Sequence, residues 1–429
     1  MAGINNPGPG GRKLVSGEND WISDFLAYTE GMASPEIYRV WSGISCLAGA
    51  LERRVWLRAY EHRETFPNLY VLCVGAPGVG KQVIDFVRDL WGEVMDPGAD
   101  RSIFHVAPDS VTKASLVDNL AKAQRTFIPP SGPPVTYHSL LIAAEEFEFF
   151  LPSYDREFIS TLNKLFNNPT TPHTESRRTG SVRELSIALP QLNLLGGAQP
   201  AYFAATFPEE AWNTGLSRRI LMIYAAETPF VELFQEREDR GWLRERLVQG
   251  LQRASQLWGQ MKWEPTAAAS VAKWHREQEA LRQAGKQTPG HSKLQHYVRS
   301  RTMHLLKLMT VSSVSRESDL VLRQIDFDRA LGWLTEAERF MPDIFREMVG
   351  RSDAAVVEEL HYFVQAAQAR NRGKAIHTTL VVDFLRKRVP SEKIEKILWV
   401  AKQAGVLALI AGTEDLWVAK PKHDYGAVE

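Results

Sequence analysis

Cysteine is nearly absent. The 429 residues carry only Cys46 and Cys73, both inside apolar stretches. That excludes a disulfide framework and suits buried thiols in a reducing compartment. No uninterrupted apolar run approaches the ~18 residues of a membrane-spanning helix. The opening MAGINNPGPGGRKLVSGEN has no apolar segment of the signal-peptide kind, so a cytoplasmic protein without a membrane anchor is expected. Net charge is missing too: 51 basic residues balance 51 acidic ones, so any contact with a polyanion must be local. The histidines have no H-x-x-x-H or paired-cysteine spacing, which argues against a structural zinc. Neither G-x-S-x-G nor H-E-x-x-H occurs, and no run of carboxylates matches a polymerase or primase centre.

What is present is apolar patterning, 44% of the chain. The length suggests roughly two to four structural units. Residues 1–17 read as a disordered tail and 18–66 as a helical lead-in. Over 67–228, buried-strand runs alternate with helical segments: PNLYVLCVG (67–75), SLLIAAEEFEFF (139–150), QLNLLGGAQP (191–200) and RRILMIYA (218–225). That alternation predicts an α/β sheet. Long helices are expected over 241–258, 265–284, 292–314 and 326–348, making 229–350 a helical domain. Residues 351–429 read as helix, helix, helix and hairpin, a winged-helix arrangement.

GAPGVGKQ, residues 75–82, meets the pattern G-x-x-x-x-G-K-[ST] everywhere but the last position. Gly75, Gly78 and Gly80 let the backbone curl so that its N–H groups face phosphate oxygens, and Lys81 reaches the β/γ-phosphates of ATP. Ala76, Pro77, Val79, Gln82 and Val83 complete the loop. Gln82 replaces the hydroxyl that ordinarily holds Mg²⁺; an amide oxygen is an admissible ligand, directly or through water. Glu145 and Glu146 close an apolar strand, the first placed to hold Mg²⁺ and the second to polarise water. Gln199 ends a strand where a γ-phosphate sensor would sit. Arg218 and Arg219 stand where a finger for a neighbouring subunit's nucleotide is expected. Arg177, Arg178 and Arg183 in HTESRRTGSVRE (173–184) are candidates for gripping single-stranded DNA.

In the order of these elements the sequence resembles the ATPase module of phage and mobile-element primase–helicases, a P-loop group akin to the AAA+ and superfamily 3 helicases. The resemblance is carried by SPEIYRVWSGISCLAGALERRVWLR, PNLYVLCVGAPGVGK, PDSVTKASLVDNLA, LLIAAEEFEFFL, HTESRRTGSVRELSIALPQLNLLGGAQP, GLSRRIL and YVRSRTMHLLKLMTV with IDFDRALGWLTEA, roughly residues 20–345. It implies an α/β P-loop NTPase core with flanking helical regions, and an oligomeric, hexameric-ring ATPase serving DNA replication. Within it Arg219 is the better match to the arginine motif, because it directly precedes the apolar pair. Gln82 and Glu145, where Asp is usual, depart from the pattern.

Three functions stay open at this point: a helicase, a helicase loader or initiator switch with slow hydrolysis, and a nucleotide-dependent assembly scaffold. The winged helix would carry DNA or other replication proteins. Lys393, Lys396 and Lys402 suit phosphate contacts, whereas Leu398, Trp399 and Val400 read as core.

Overall fold

The computed structural model describes residues 20–420 except 61–62, 109–111, 131, 152–154, 180, 208–211, 213–214, 235–238, 288, 318, 387–388, 390, 411–412 and 414. The expected tail over 1–17 therefore lies outside the described residues, as do positions 412 and 414 of the turn expected in the C-terminal hairpin at 412–415. The chain divides into two compact units, Met1–Ile344 and Phe345–Glu429.

The first unit begins with α1 (Trp21–Thr29) and α2 (Glu36–Leu51). Asp20 caps α1 by accepting the Ser23 amide and pairs with Arg329 at 2.6 Å, tying the helix start to a distant segment. Nearly every residue of α2 is buried, which explains its run of small residues between bulky ones. The lead-in is not all helical. Strands β1 (Val55–Tyr60) and β2 (Arg63–Thr65) pair antiparallel. Local periodicity misses them because β1's other neighbour is β10 (Gly259–Gln260), two hundred residues on.

The central sheet holds β3 (Tyr70–Val74), β4 (Gln124–Phe127), β5 (Val135–Ala144), β8 (Pro190–Ala198) and β9 (Ile220–Tyr224), in the order β4-β5-β8-β3-β9. β5, β8, β3 and β9 run parallel, and β4 is an antiparallel edge. Beside β4, Val106 makes one parallel bridge to Leu141. β3 and β9 and the second half of β5 are apolar and buried because helices cover both faces, whereas the edge strand β4 is polar and partly exposed. On one face Asn193 of β8 donates to Ser45 of α2, next to α3 (Val83–Glu93). On the other, Tyr70 donates to the Leu162 carbonyl at 2.9 Å in α6 (Arg156–Phe166). The sheet thus connects with α4 (Lys113–Lys122), α5 (Phe147–Phe150) and α7 (Pro200–Thr206). Residues 147–150, read from sequence as the end of a strand, form α5: the chain turns after Ala144 so that Phe147 and Phe150 enter the core. Between α6 and β8 a separate hairpin joins β6 (His173–Thr179) to β7 (Ser181–Ile187).

A fully buried carboxylate braces this half. Glu52, held at φ 46°, accepts from the Tyr137 hydroxyl at 2.5 Å and from Arg125 at 3.0 Å, with Arg54 at 3.4 Å. It joins the end of α2 to β4 and β5.

The helical part comprises α8 (Gly241–Ala254), β11 (Lys262–Trp263), α9 (Pro265–Gln283), α10 (Gln295–Val298), α11 (Arg301–Arg316), β12 (Val321–Leu322) and α12 (Gln324–Arg370). The helix expected over 292–314 is broken at Arg299–Ser300. Arg301 then pairs with the buried Glu338 at 2.7 Å, locking α11 onto α12. The unit division falls inside α12, where the sequence had suggested a boundary at 350.

In the second unit, the end of α12 leads to β13 (Ile376–His377), α13 (Thr378–Arg386), α14 (Ser391–Gln403), β14 (Leu407–Leu409) and β15 (Leu416–Ala419). The sheet order is β13-β15-β14, antiparallel, one strand more than the hairpin foreseen. Ile394, Ile397 and Ala401 of α14 enter the core with Val381, Leu385 and Trp417. Helical phase therefore turns Trp399 outward, 62% exposed. Trp399 is not core, while Leu398 and Val400 are only half-buried against it. Among the described residues no helix is long and apolar enough to cross a membrane.

Candidate functional site

The glycine-rich loop leaves the C-terminal end of β3 and enters α3 at Gln82, the N-cap. Gly78 takes φ +86°, a conformation that costs glycine little. Gly80 is required by space: a Cβ there would lie 1.5 Å from the Ala33 carbonyl oxygen. The loop is anchored behind by the Gly75 amide donating to Ala198 at 3.2 Å and by Val79 donating to Ala76. The Ile84 amide turns back to the Lys81 carbonyl at 2.9 Å, and the N–H groups beside it at the start of α3 carry the positive end of its dipole. Ala76 is half-buried, Pro77 and Gln82 are exposed, and Val79 and Val83 are buried anchors.

Lys81 is 8% exposed. Its stem crosses the end of β8, for a Cβ on Gly197 would meet Lys81 Cδ at 2.5 Å and the Glu145 carbonyl oxygen at 2.1 Å. Burial lowers the affinity of its ammonium for a proton, opposed by Cys73, Glu145, Glu148 and Glu146. A buried cation facing carboxylates at the mouth of an amide-lined loop is fitted to an anionic ligand that brings a counter-cation.

Glu145 and Glu146 follow β5, one strand removed from β3 because β8 lies between them. Glu145 is half-buried and Glu146 exposed. The Glu145 carboxyl is pushed up by burial and then by Asp85, with which it shares a hydrogen bond; Lys81 pulls it back. Asp85 stands in the first turn of α3, and sequence reading missed it. The available signal was its position three residues after Gln82, one helical turn on, and so on the side of the loop. These two adjoining carboxyls offer oxygen ligands suited to Mg²⁺, which commonly takes one or two carboxylates together with phosphate oxygens. Among the described residues no three His, Cys, Asp or Glu side chains converge as a metal cage.

Gln199, after β8, is half-buried at the N-cap of α7 beside the loop. Asn193 is structural: it accepts the Leu69 amide at 2.9 Å and donates to Ser45. A further residue belongs here. The Gly80 amide donates to the Thr228 hydroxyl at 3.0 Å, and that hydroxyl donates to the Gly78 carbonyl at 2.9 Å.

The arginine pair is split. Arg218 is exposed, whereas Arg219 is 5% exposed and donates to Gly215 at 2.6 Å and to Asn163 and Asn167, both at 3.3 Å. Burial lowers its pKa to about 10, with Arg218 and Arg63 adding to the effect and Tyr70 opposing it. Both lie at the start of β9, parallel to β3. They are one strand length, about 16 Å, from the loop, and so are not brought together with Lys81 within one chain. In the β6–β7 hairpin, Arg177 registers directly opposite Arg183, and Arg178 opposite Val182. The lysines Lys393, Lys396 and Lys402 lie exposed on α14.

No family model matches the chain, and no curated protein matches it.

Proposed function

We propose that the chain is a P-loop ATPase with a winged-helix second unit, acting as an ATP-dependent DNA helicase or translocase in replication of a phage or mobile element. One observation carries the reading: a glycine-rich loop delivers a buried Lys81 to the Glu145–Asp85 carboxyl pair at the C-terminal end of a parallel sheet, where α/β sheets bind ligands.

The loop fits ATP in chemistry. Within Gly75 to Val83, the amides of Gly78, Lys81, Gln82 and Val83 and the helix N-terminus face phosphates, and Lys81 supplies a cation aimed at the β/γ oxygens. Glu145, Asp85 and Gln82 would hold Mg²⁺, whose contribution is to neutralise charge on the phosphate oxygens. Glu146, exposed beside them, accepts a proton from the attacking water. Gln199 orients the polar end of the site. Arg218, exposed at the opposite end of the sheet, serves the nucleotide of a neighbouring subunit in a homo-oligomeric ring, with Arg219 positioning the turn that presents it. Arg177, Arg178 and Arg183 on the hairpin suit single-stranded DNA.

A slow switch that loads a helicase is the second reading. It is favoured by the engagement of the Gly80 amide with Thr228, which takes a donor away from phosphate. Mg²⁺-dependent ATP hydrolysis with and without single-stranded DNA, on wild type, Lys81→Ala and Gln82→Thr, separates the two. DNA-stimulated turnover abolished by Lys81→Ala is expected for the motor. Binding without turnover, with Gln82→Thr gaining activity, would move the reading to the switch. Absence of ATP binding would end both.

A further inference from the structure

At the end of the sheet remote from the glycine-rich loop, the first unit contains a cavity of about 350 Å³. Its cationic lining comes from Arg63, Arg218, Arg219, Arg299 and Lys307. Among the described lining residues Glu64 is the single carboxylate, and it is taken by Arg58 at 2.7 Å.

The charges at the floor lack counter-ions. Lys307 is 3% exposed. Its Nζ donates to the Asn68 carbonyl and side-chain oxygens, both at 2.6 Å, and lies 4.1 Å from the centre of the Phe166 ring. Burial, then Arg63 and Arg219, drives its pKa well below the usual lysine value. The Nε of Arg219 and the Oδ1 of Asn168, on residues more than nine-tenths buried, have no hydrogen-bond partner. Buried like charges without an acid are costly unless something supplies the opposite charge. Phosphate does so with several acceptor oxygens at once.

The rim adds a second chemistry. An apolar cleft lined by Tyr60, Trp263, Val271, Ala272 and Leu306 adjoins the cavity, and Tyr60 and Leu306 line both. Tyr60 is 52% exposed. A cationic floor beside an aromatic ledge matches a phosphate with its attached base.

We propose that this cavity is a second phosphate site, taking the phosphate of a nucleotide unit independently of the glycine-rich loop. Because the two sites lie at opposite ends of the sheet, removing one leaves the other. The test is pyrophosphate binding by calorimetry on full-length Lys81→Ala, alone and combined with Arg63→Gln and Arg299→Gln, whose side chains are exposed and spare the fold. The expected result is one site per chain in Lys81→Ala, weakened at least tenfold by the two glutamines. Competition by oligo(dT) then identifies a strand as the source, and competition by ATP alone a free nucleotide. No binding to Lys81→Ala, no effect of the glutamines, or no competition by either nucleotide form would overturn the proposal. ATP binding to the wild-type loop is measured separately, so its failure is distinguishable.

Discussion

The amide of Gly80 and the hydroxyl of Thr228 are joined at 3.0 Å across the mouth of the glycine-rich loop. A donor that a bound phosphate would claim is already engaged. Removing the hydroxyl frees it, and a hydrogen bond of this kind contributes about 1 kcal/mol net. Thr228→Val is therefore expected to tighten ATP binding about fivefold, read by equilibrium titration. Unchanged or weaker binding would show that Thr228 shapes the loop rather than occupies it.

Asp85 and Glu145 are read as sharing the metal. Asp85→Asn keeps the size and removes the charge. The Mg²⁺ concentration for half-maximal hydrolysis should rise about tenfold, roughly 1.4 kcal/mol, while metal-free nucleotide binding stays the same or strengthens. Unaltered Mg²⁺ dependence would remove Asp85 from the site.

Glu52 is the buried centre of a network with Tyr137, Arg125 and Arg54. Glu52→Ala leaves Arg54, itself buried, without its partner. A loss of about 3–5 kcal/mol is expected, measured by denaturant unfolding of the full chain. A loss below about 1 kcal/mol would mean that water reaches the arginines.

His304 is wholly buried and donates from Nε2 to the Arg218 carbonyl at 3.0 Å. Burial depresses its pKa to about 3, so the folded state holds it neutral. The unfolded chain binds the extra proton below about pH 6.5. Stability is therefore full above that pH and falls as pH drops from 6.5 towards 3, by about 2 kcal/mol at pH 5. His304→Gln keeps an amide donor and should flatten that part of the pH–stability curve. An unchanged slope would assign the acid sensitivity elsewhere.

The strands over 70–74, 140–144 and 220–224 were legible because burial on both faces leaves an unbroken apolar run, and 191–198 because only Gln191 and Asn193 interrupt it. The loop between Gly75 and Gln82 was legible because glycine spacing is local. Asp85 was missed, since helical phase ties it only to Gln82 and the loop, while Glu145 arrives from a separate strand. Arg218 and Arg219 are adjacent, and nothing in the string says which turns inward; Asn163, Asn167 and the Gly215 carbonyl decide that. Trp399 failed by the same phase, its apolar character outweighing the Ile394–Ile397–Ala401 stripe. The cationic cavity is drawn from segments near 63, 168, 218 and 300, which only the folded chain brings together.

The parallel register of β3 and β9 sets Lys81 and Arg218 at opposite ends of one sheet. If each serves the same chemistry, no single copy holds a whole catalytic set. Turnover per chain would then fall on dilution, and a mixture of Lys81→Ala and Arg218→Ala chains would regain activity that neither has alone. The direction in which one strand runs would make this a catalyst only in company.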